Sequence, residues 1–273
     1  MAEKKHVLLE IGNTNIKVGI CTRDKLLCAY ALPTDPGITS DLLGLRLLDV
    51  LRHCRVELSE LGECAGSSVV PSITPLARRA CRRFLEQTIC FLGEDIDLPL
   101  ENHYQTPREV GSDRLVASYA ARVLYPEPVS LISVDLGTAT TFDCISGNAY
   151  LGGLICPGLF SSARNLAAST AKLPQISLEL DDSQPLIGLN TATSLNHGFI
   201  FGFAAMSEGL IARLKQLLPK PLEVVATGGF STTLSRVASC FDHVRPDLLL
   251  EGLRLSLPLF AGGEKQTENS GEA

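Results

Sequence analysis

The chain has 273 residues, of which 45% are hydrophobic and 20% are charged, and its formal net charge is −6. This length and apolar content are typical of a globular protein with two domains, each with its own core. The acidic balance disfavours nucleic acid as a partner, and no run of residues approaches the ~20 apolar positions of a membrane helix, so we expect a cytoplasmic protein.

The first residues predict a three-stranded unit followed by a helix. Apolar runs at residues 7–11, 16–21 and 26–32 are separated by turn residues, which is the pattern of short strands. Ser40 then begins a helical spacing of apolar residues. The apolar face of this helix would consist of Leu42, Leu43, Leu47, Val50 and Leu51.

The next part of the chain alternates strand, helix and loop. Residues 64–70 predict a strand, and residues 71–87 predict a helix with a basic outer face. Residues 93–110 are polar and interrupted by two prolines, which predicts a loop. Residues 111–124 return to helical spacing.

From residue 129 the initial pattern begins again. Further strands are predicted at 129–135, 141–146, 149–155 and 223–226, and further helices at 159–171, 188–218 and 247–259. Repetition of a whole unit of strands and turns suggests two domains of one fold. We therefore expect domains at residues 1–126 and 127–261, followed by a disordered tail at 262–273 that is small and polar.

The cysteines and histidines show no metal or disulfide pattern. The nine cysteines include no Cys-x-x-Cys pair, which predicts reduced, buried thiols rather than a zinc site or a disulfide framework. The histidines are scattered without ligand spacing. Neither a Gly-x-Ser-x-Gly elbow nor a Walker motif occurs, so hydrolase and P-loop chemistry lack their basic residues.

Two acid-x-Gly turns, one in each half, are candidates for phosphate binding. Glu10 precedes Gly12 in the first turn, and Asp135 precedes Gly137 in the second. Glycine lets the backbone approach a phosphate, whose oxygens can accept from turn N–H groups. The carboxylates can reach a phosphate only through a bridging cation. Two such turns could hold a triphosphate, whereas the alternative is a pair of β-turns with capping acids.

A third candidate is Asp113, in the first turn of a predicted helix. A carboxylate is favoured there by the helix dipole alone, so a purely structural role is the alternative. An ionised Asp113 could orient a substrate hydroxyl and accept its proton late, as phosphoryl transfer requires. Arg114 adds a donor fork for a carboxylate or phosphate, and Tyr104 and Arg108 could complete the pocket.

Taken in order, the segments 10–15, 106–114 and 134–141 resemble the motifs of the type III pantothenate kinases. Shorter blocks match at 151–153, 157–158, 170–174, 187–191, 226–229 and 246–248. The resemblance implies an α/β, duplicated actin-like (ribonuclease-H-like) ATPase fold, with two similar domains around a cleft, and a homodimer. It implies phosphorylation of pantothenate to 4′-phosphopantothenate, the first step of coenzyme A biosynthesis, with ATP, Mg²⁺ and a monovalent cation (K⁺ or NH4⁺).

The resemblance also implies a role for individual residues. Asp113 would be the catalytic base, Asp135 would hold the monovalent cation and Glu10 would bind Mg²⁺. The loops at 10–17 and 135–141 would hold ATP. The implied ATP-binding residues are Glu10, Ile11, Gly12, Asn13, Thr14, Asn15, Ile16, Lys17 and Thr138. The implied pantothenate-binding residues are Tyr104, Gly111, Ser112, Asp113, Arg114 and Thr191, the last reaching the substrate of the partner subunit.

Glu10 departs from the family, which usually has aspartate at this position. The additional methylene moves the carboxylate by about one carbon–carbon bond, and a shift of about 1 Å can cost on the order of 10²-fold in rate. Besides an active kinase, the sequence is therefore compatible with a feeble relative that binds nucleotide or pantothenate as an accessory protein. Another sugar or acid kinase of the same fold is a third hypothesis, against which residues 107–114 argue.

Overall fold

The computed structural model describes residues 3–170, 172–180 and 186–260, which form two compact units. The first unit combines the chain up to Leu100 with Thr106–Val123 and with the last helix from Leu249 onwards. The second combines Glu101–Gln105 with Leu124–Leu248. The domain limits at 126 and 261 stay predictions. Each unit consists of stretches that are separate in the chain. The predicted tail, 262–273, lies outside the described residues.

Both units are built from short strands and helices. In chain order, the strands are β1 Lys5–Ile11, β2 Asn15–Cys21, β3 Leu26–Pro33, β4 Leu61–Ser68, β5 Ile89–Phe91, β6 Glu101–Asn102, β7 Ser130–Leu136, β8 Ala139–Ser146, β9 Ala149–Pro157, β10 Leu222–Thr227 and β11 His243–Val244. The helices are α1 Ser40–His53, α2 Thr74–Ala80, α3 Ser112–Leu124, α4 Leu159–Ala168, α5 Thr191–Leu214, α6 Ser231–Ser235 and α7 Leu248–Phe260. A π-helical turn, Cys81–Leu85, continues α2.

The sheet of the first unit has the order β3-β2-β1-β4-β5. Its first three strands are antiparallel, as the turn residues between them predict, and β4 and β5 join in parallel. Val7, Leu9 and Ile11 face a core with α1 and α2, whereas Leu8 packs on the other face with α3 and α7, for example against Leu253. The sheet is thus covered by helices on both faces, as parallel strands require.

The sheet of the second unit repeats this topology. Its order is β11-β10-β7-β8-β9-β6, in which β7, β8 and β9 are antiparallel and β10 and β11 join in parallel. Strand β1 therefore corresponds to β7, and β4 to β10. Val134 and Phe142 pack with Ile200 and Ala204 of α5 in its core. The two sheets share an order of five strands, to which β6 is added in the second unit, and a shared order is what the repeated sequence pattern predicts.

Three expectations are corrected by the structure. The helix expected at 71–87 begins only at Thr74 and ends at Leu85, because Glu86 takes a left-handed φ of 55°. The loop expected at 93–110 contains the short strand β6, which pairs with β9. The prediction of reduced thiols is wrong for Cys28 and Cys54, which form a disulfide. The spacing of these two residues carries no signal, because β3 and the end of α1 meet only in the folded unit.

Candidate active site

The first acid-x-Gly turn is a rigid loop between β1 and β2. The Gly12 N–H donates to the carbonyl of Asn15 at 3.0 Å. Beyond β3, the Thr34 hydroxyl donates to the Gly12 carbonyl at 2.7 Å, and the Thr34 N–H donates to the Thr14 carbonyl at 2.9 Å. The turn is thus fixed from two sides, which keeps its backbone donors in place for an anion.

Glu10 lies beside this turn and pairs with Lys17. The two residues are directly opposite each other in β1 and β2, and Lys17 Nζ lies 3.1 Å from Glu10 Oε2. A Cβ on Gly12 would lie only 3.2 Å from Glu10 Oε1, so the glycine leaves room around the carboxylate. The site therefore holds a negative and a positive group side by side, able to meet a cation and a phosphate.

The amino end of α3 is held at the carboxyl ends of strands β1 and β4, where Glu10 also lies. Ser67 is the neighbour of Glu10 across the parallel strands β1 and β4, and its hydroxyl lies 2.8 Å from the Ser112 hydroxyl. Ser112 Oγ also donates to the Ser68 carbonyl at 3.0 Å. Ser67 is not among the residues predicted from the sequence. Its one signal was a serine pair at the carboxyl end of a strand, where ligands bind in such sheets.

Asp113 follows in the first turn of α3 and is partly buried. Its Oδ1 accepts from the backbone N–H of Arg114 at 2.7 Å. Burial raises the pKa of Asp113, and the N–H and charge of Arg114 oppose that rise. A Cβ on Gly111 would lie 2.4 Å from Asp113 Oδ1, so the glycine before the helix gives the carboxylate its place. The arrangement suits a fixed proton acceptor.

The second acid-x-Gly turn, between β7 and β8, is built like the first. The Gly137 N–H donates to the Ala139 carbonyl at 3.1 Å. Asp135 lies opposite Thr227 in the neighbouring strand β10. The next residue, Gly228, has a φ of 88°, and a Cβ there would lie 2.2 Å from Asp135 Oδ1. The turn after β10 therefore approaches the carboxylate as only glycine allows.

A third segment closes around the second turn. The hydroxyl of Ser161, in the first turn of α4, donates to the Thr138 carbonyl at 2.7 Å. A Cβ on Gly158 would lie 2.1 Å from the same carbonyl oxygen. The segments 134–141, 157–158 and 226–229, which are distant in sequence, therefore meet at Thr138 and Asp135.

Tyr104 and Thr191 belong to the second unit, whereas Gly111, Ser112, Asp113 and Arg114 belong to the first. The Tyr104 ring lies over Gly152, which has a φ of 107° and whose Cβ, if present, would lie 3.2 Å from Tyr104 Cδ2. Thr191 is the exposed first residue of α5. The predicted site residues thus fall into one group in each unit.

Comparison with known proteins identifies the chain. A sequence model of the type III pantothenate kinases matches residues 6–213. The type III pantothenate kinase of Nitratidesulfovibrio vulgaris (strain DSM 19637 / Miyazaki F) is 63% identical over 91% of this chain and 95% of the relative. That of Dehalococcoides mccartyi (strain ATCC BAA-2266 / KCTC 15142 / 195) is 38% identical over 92% and 96%. The chain belongs to the type III pantothenate kinase family.

Solved structures show the fold of this kinase. A Campylobacter jejuni protein described as a Baf family transcriptional activator aligns over 94% of the chain and 99% of its own, with a TM-score of 0.53 and 18% identity. The inorganic polyphosphate/ATP-glucomannokinase of an Arthrobacter species aligns over 94% and 99%, with a TM-score of 0.51 and 13% identity. The predicted α/β, duplicated actin-like fold is confirmed.

Membership in the family also confirms the predicted class of enzyme. Type III pantothenate kinases are kinases that phosphorylate pantothenate in the first step of coenzyme A biosynthesis, and as kinases they bind a nucleotide. Within the part of the kinase that the structure describes, no helix is both long and apolar enough to cross a membrane.

Proposed function

We propose that this kinase transfers the γ-phosphoryl group of ATP to the hydroxyl of pantothenate, with Asp113 as the base, and releases 4′-phosphopantothenate. The observation that supports it best is the fixed carboxylate of Asp113, which the Arg114 N–H holds at 2.7 Å. The hydroxyl pair of Ser67 and Ser112 places that carboxylate at the sheet edge that also carries Glu10. A base beside a phosphate loop is the minimum that phosphoryl transfer needs.

Asp113 would act by orientation and by late proton acceptance. Its Oδ1 is engaged by the Arg114 N–H, so the substrate hydroxyl would donate to Oδ2. Burial raises the pKa of Asp113 and makes it a better proton acceptor, while Arg114 favours the ionised form. Phosphoryl transfer passes through a loose transition state in most analyses, so positioning of the hydroxyl contributes more than strong basicity.

Two turns would hold ATP. In an acidic chain, the phosphates must be met by local donors, which are the amides of the first turn and the ammonium of Lys17. Lys17 lies 3.1 Å from Glu10 and is 29% exposed, so it can reach an anion above the strand pair. We assign Glu10, Ile11, Gly12, Asn13, Thr14, Asn15, Ile16 and Lys17 to the first turn and Thr138 to the second.

The carboxylates fit two cations. Mg²⁺ usually takes one or two carboxylates and completes its shell with phosphate oxygens and water. This suits Glu10, since the described residues contain no cluster of three metal-binding side chains. When bound there, Mg²⁺ would neutralise phosphate charge. Asp135 would hold K⁺ or NH4⁺, because Gly137 and Gly228 leave room around its Oδ1.

Each residue assigned to pantothenate would supply one kind of contact. The guanidinium of Arg114 presents a planar donor fork that matches the carboxylate of pantothenate. Gly111 and Ser112 would add contacts beside Asp113. The half-buried ring of Tyr104 would pack against the substrate, and Thr191 would be supplied by a second subunit.

A homodimer would form through one face of α5. Thr191, Gly198, Gly202 and Gly209 fall on one face at 100° per residue, and all four are exposed. Side chains this small allow two helices to approach closely. Large apolar residues lie exposed just before the helix, where Ile187 is 77% exposed and Leu189 is 82% exposed. Burial of this surface in a second copy would remove apolar area from water.

A coupled assay of ADP release tests this function. We expect turnover that requires pantothenate and Mg²⁺ and that increases with K⁺ or NH4⁺. Asp113→Asn should lose turnover and still bind ATP. Glu10→Asp should change turnover by up to about 10²-fold, because it moves the carboxylate beside Lys17 by about one carbon–carbon bond. Normal turnover of Asp113→Asn would refute the base. No turnover of the folded natural enzyme with any cation would favour an accessory protein.

A further inference from the structure

The second unit contains a buried carboxylate with no role in the function proposed above. Asp143 lies in β8 and is 1% exposed. It lies in the interior of a strand, whereas Asp113 lies in the first turn of a helix. A carboxylate removed from water must be satisfied by hydrogen bonds or charges, and the partners of Asp143 show where it acts.

Each carboxylate oxygen of Asp143 accepts from a side-chain hydroxyl. The Tyr150 hydroxyl donates to Oδ1 at 2.8 Å, and the Thr141 hydroxyl donates to Oδ2 at 3.1 Å. Thr141 and Asp143 are two positions apart on β8 and therefore share a face of the sheet. Tyr150, in the adjacent strand β9, is 0% exposed. Both oxygens of this buried carboxyl group therefore have a hydrogen-bond donor, as burial of a polar group requires.

The first partner leads to the substrate residue Tyr104. The rings of Tyr150 and Tyr104 lie 6.4 Å apart at 44°, which is within the range of aromatic packing. The Tyr150 carbonyl accepts from the His103 N–H at 2.9 Å. The Tyr104 ring also rests on Gly152. Tyr150 therefore supports the segment that carries Tyr104 in two ways. Its ring packs against the Tyr104 ring, and its carbonyl binds the N–H of the preceding residue, His103.

The second partner leads to the nucleotide residues. Thr141 ends the motif 134–141 and lies opposite Asp135 across β7 and β8. Its side chain is therefore fixed on the strand that leaves the second turn, next to the carboxylate assigned to the monovalent cation. Asp143 thus binds Thr141, on the strand that follows the second turn, and Tyr150, whose ring packs against Tyr104.

We propose that Asp143 is a positioning residue that holds Tyr150 against Tyr104 and Thr141 beside the second turn, and so supports a pantothenate residue and a nucleotide turn of the second unit through separate hydrogen bonds. This inference rests on the proposed function, because it takes Tyr104 to be a pantothenate contact. It assigns Asp143 no contact with substrate.

Single variants separate the two arms of this carboxylate. Tyr150→Phe keeps the ring and removes one donor, so we expect calorimetry to show pantothenate binding weakened about fivefold, with the KM for ATP within about twofold of the natural enzyme. Thr141→Val should show the reverse, a KM for ATP raised about fivefold with pantothenate binding kept. Asp143→Asn should affect both, because an amide nitrogen cannot accept from the second hydroxyl.

Ser130→Ala is the matched control. Its hydroxyl is buried at the other end of β7 and bonds to Ser146 Oγ at 3.4 Å. It should change neither substrate constant. Equal losses in Ser130→Ala and Tyr150→Phe would mean that any lost hydroxyl loosens the sheet, which would overturn the proposal.

Tyr104→Ala distinguishes failure of this proposal from failure of the proposed function. Unchanged pantothenate binding in Tyr104→Ala would overturn the assignment of Tyr104 and everything that rests on it. Weakened binding in Tyr104→Ala, together with natural constants in Tyr150→Phe and Thr141→Val, would overturn the role of Asp143 alone. Because these two variants are conservative, the test stands even where Asp143→Asn does not fold.

Discussion

Asp113 lies where a carboxylate is unfavourable for stability and useful for chemistry. Burial is the largest influence on its pKa and raises it, whereas the N–H and charge of Arg114 oppose the rise. The helix dipole favours a carboxylate at this position by about 0.3–1 kcal/mol, but the raised pKa means that desolvation outweighs these contributions. The ionised form therefore costs the folded state some stability at neutral pH.

We predict that Asp113→Asn is more stable than the natural enzyme at pH 7, with a Tm about 2 °C higher. The folded-state pKa is raised, so the natural enzyme regains the lost stability as the pH falls through the pKa of folded Asp113. The difference in Tm should shrink over that range. Thermal unfolding of both proteins across the acid range measures it.

Glu109→Gln provides the control for this prediction, because it removes the same charge from an exposed position in the preceding 3-10 turn. It should leave the Tm nearly unchanged at every pH. A lower Tm of Asp113→Asn at pH 7 would contradict the argument and show that the dipole and Arg114 outweigh burial.

At the scale of elements, the turn between β10 and α6 offers two adjacent glycines with opposite requirements. Gly228 has a φ of 88°, and its Cβ would lie 2.2 Å from Asp135 Oδ1 and 2.8 Å from the backbone of Leu136. A Cβ on Gly229 would meet no atom within 4 Å. The first glycine is required by geometry, and the second is not.

We therefore predict that Gly228→Ala destabilises the kinase by about 1–2 kcal/mol, which is the cost of a left-handed conformation in a residue with a Cβ. It should also weaken activation by K⁺, because the methyl group displaces Asp135. Urea unfolding gives the stability, and the ADP assay gives the cation dependence. Gly229→Ala is the matched control and should unfold as the natural enzyme does; equal stability of the two variants would refute the argument.

The predictability of the elements follows from their length and periodicity. Strands β1 to β3 and helix α3 were predicted because each has several consecutive positions with one periodicity and a turn residue at its end. Strand β5 was missed because Ile89–Phe91 is three residues long and becomes a strand only by pairing with β4. Strand β11 has two residues and forms only by pairing with β10. Helix α6 has five residues, too few to show a helical period. Helix α2 was predicted three residues too early, because Pro71-Ser72-Ile73 is apolar enough to extend the pattern.

At the scale of the whole molecule, motifs predicted the candidate site in part. Asp113 and the two acid-x-Gly turns were predicted because the residues that form each motif are neighbours in the sequence. Ser67 was not, because its neighbour Glu10 lies on a strand that is distant in sequence. Asp143 and Tyr150 were not, because their hydrogen bond forms only when β8 and β9 pair. The composition of each unit from separate stretches of the chain could not be predicted either. No local pattern places α7 with the first unit.

An exposed face of small residues on α5 and the apolar residues before it predict a dimer, which should have about twice the chain mass of 29.3 kDa. Gly202→Glu should give a monomer, because it places a charge in the centre of this face. The fold should survive, since a Cβ there meets no atom within 4 Å. Light scattering measures the mass, and circular dichroism the fold.

A control variant adds the same charge elsewhere. Leu45→Glu changes a residue that is 52% exposed on α1 and should leave the mass unchanged. If Thr191 completes the partner's pantothenate site, monomeric Gly202→Glu should also bind pantothenate more weakly while its binding of ATP is kept. A monomeric natural enzyme, or a dimeric Gly202→Glu, would remove α5 as the interface. If Gly202→Glu is monomeric and binds pantothenate with natural affinity, the interface on α5 is supported, but Thr191 does not contact the substrate.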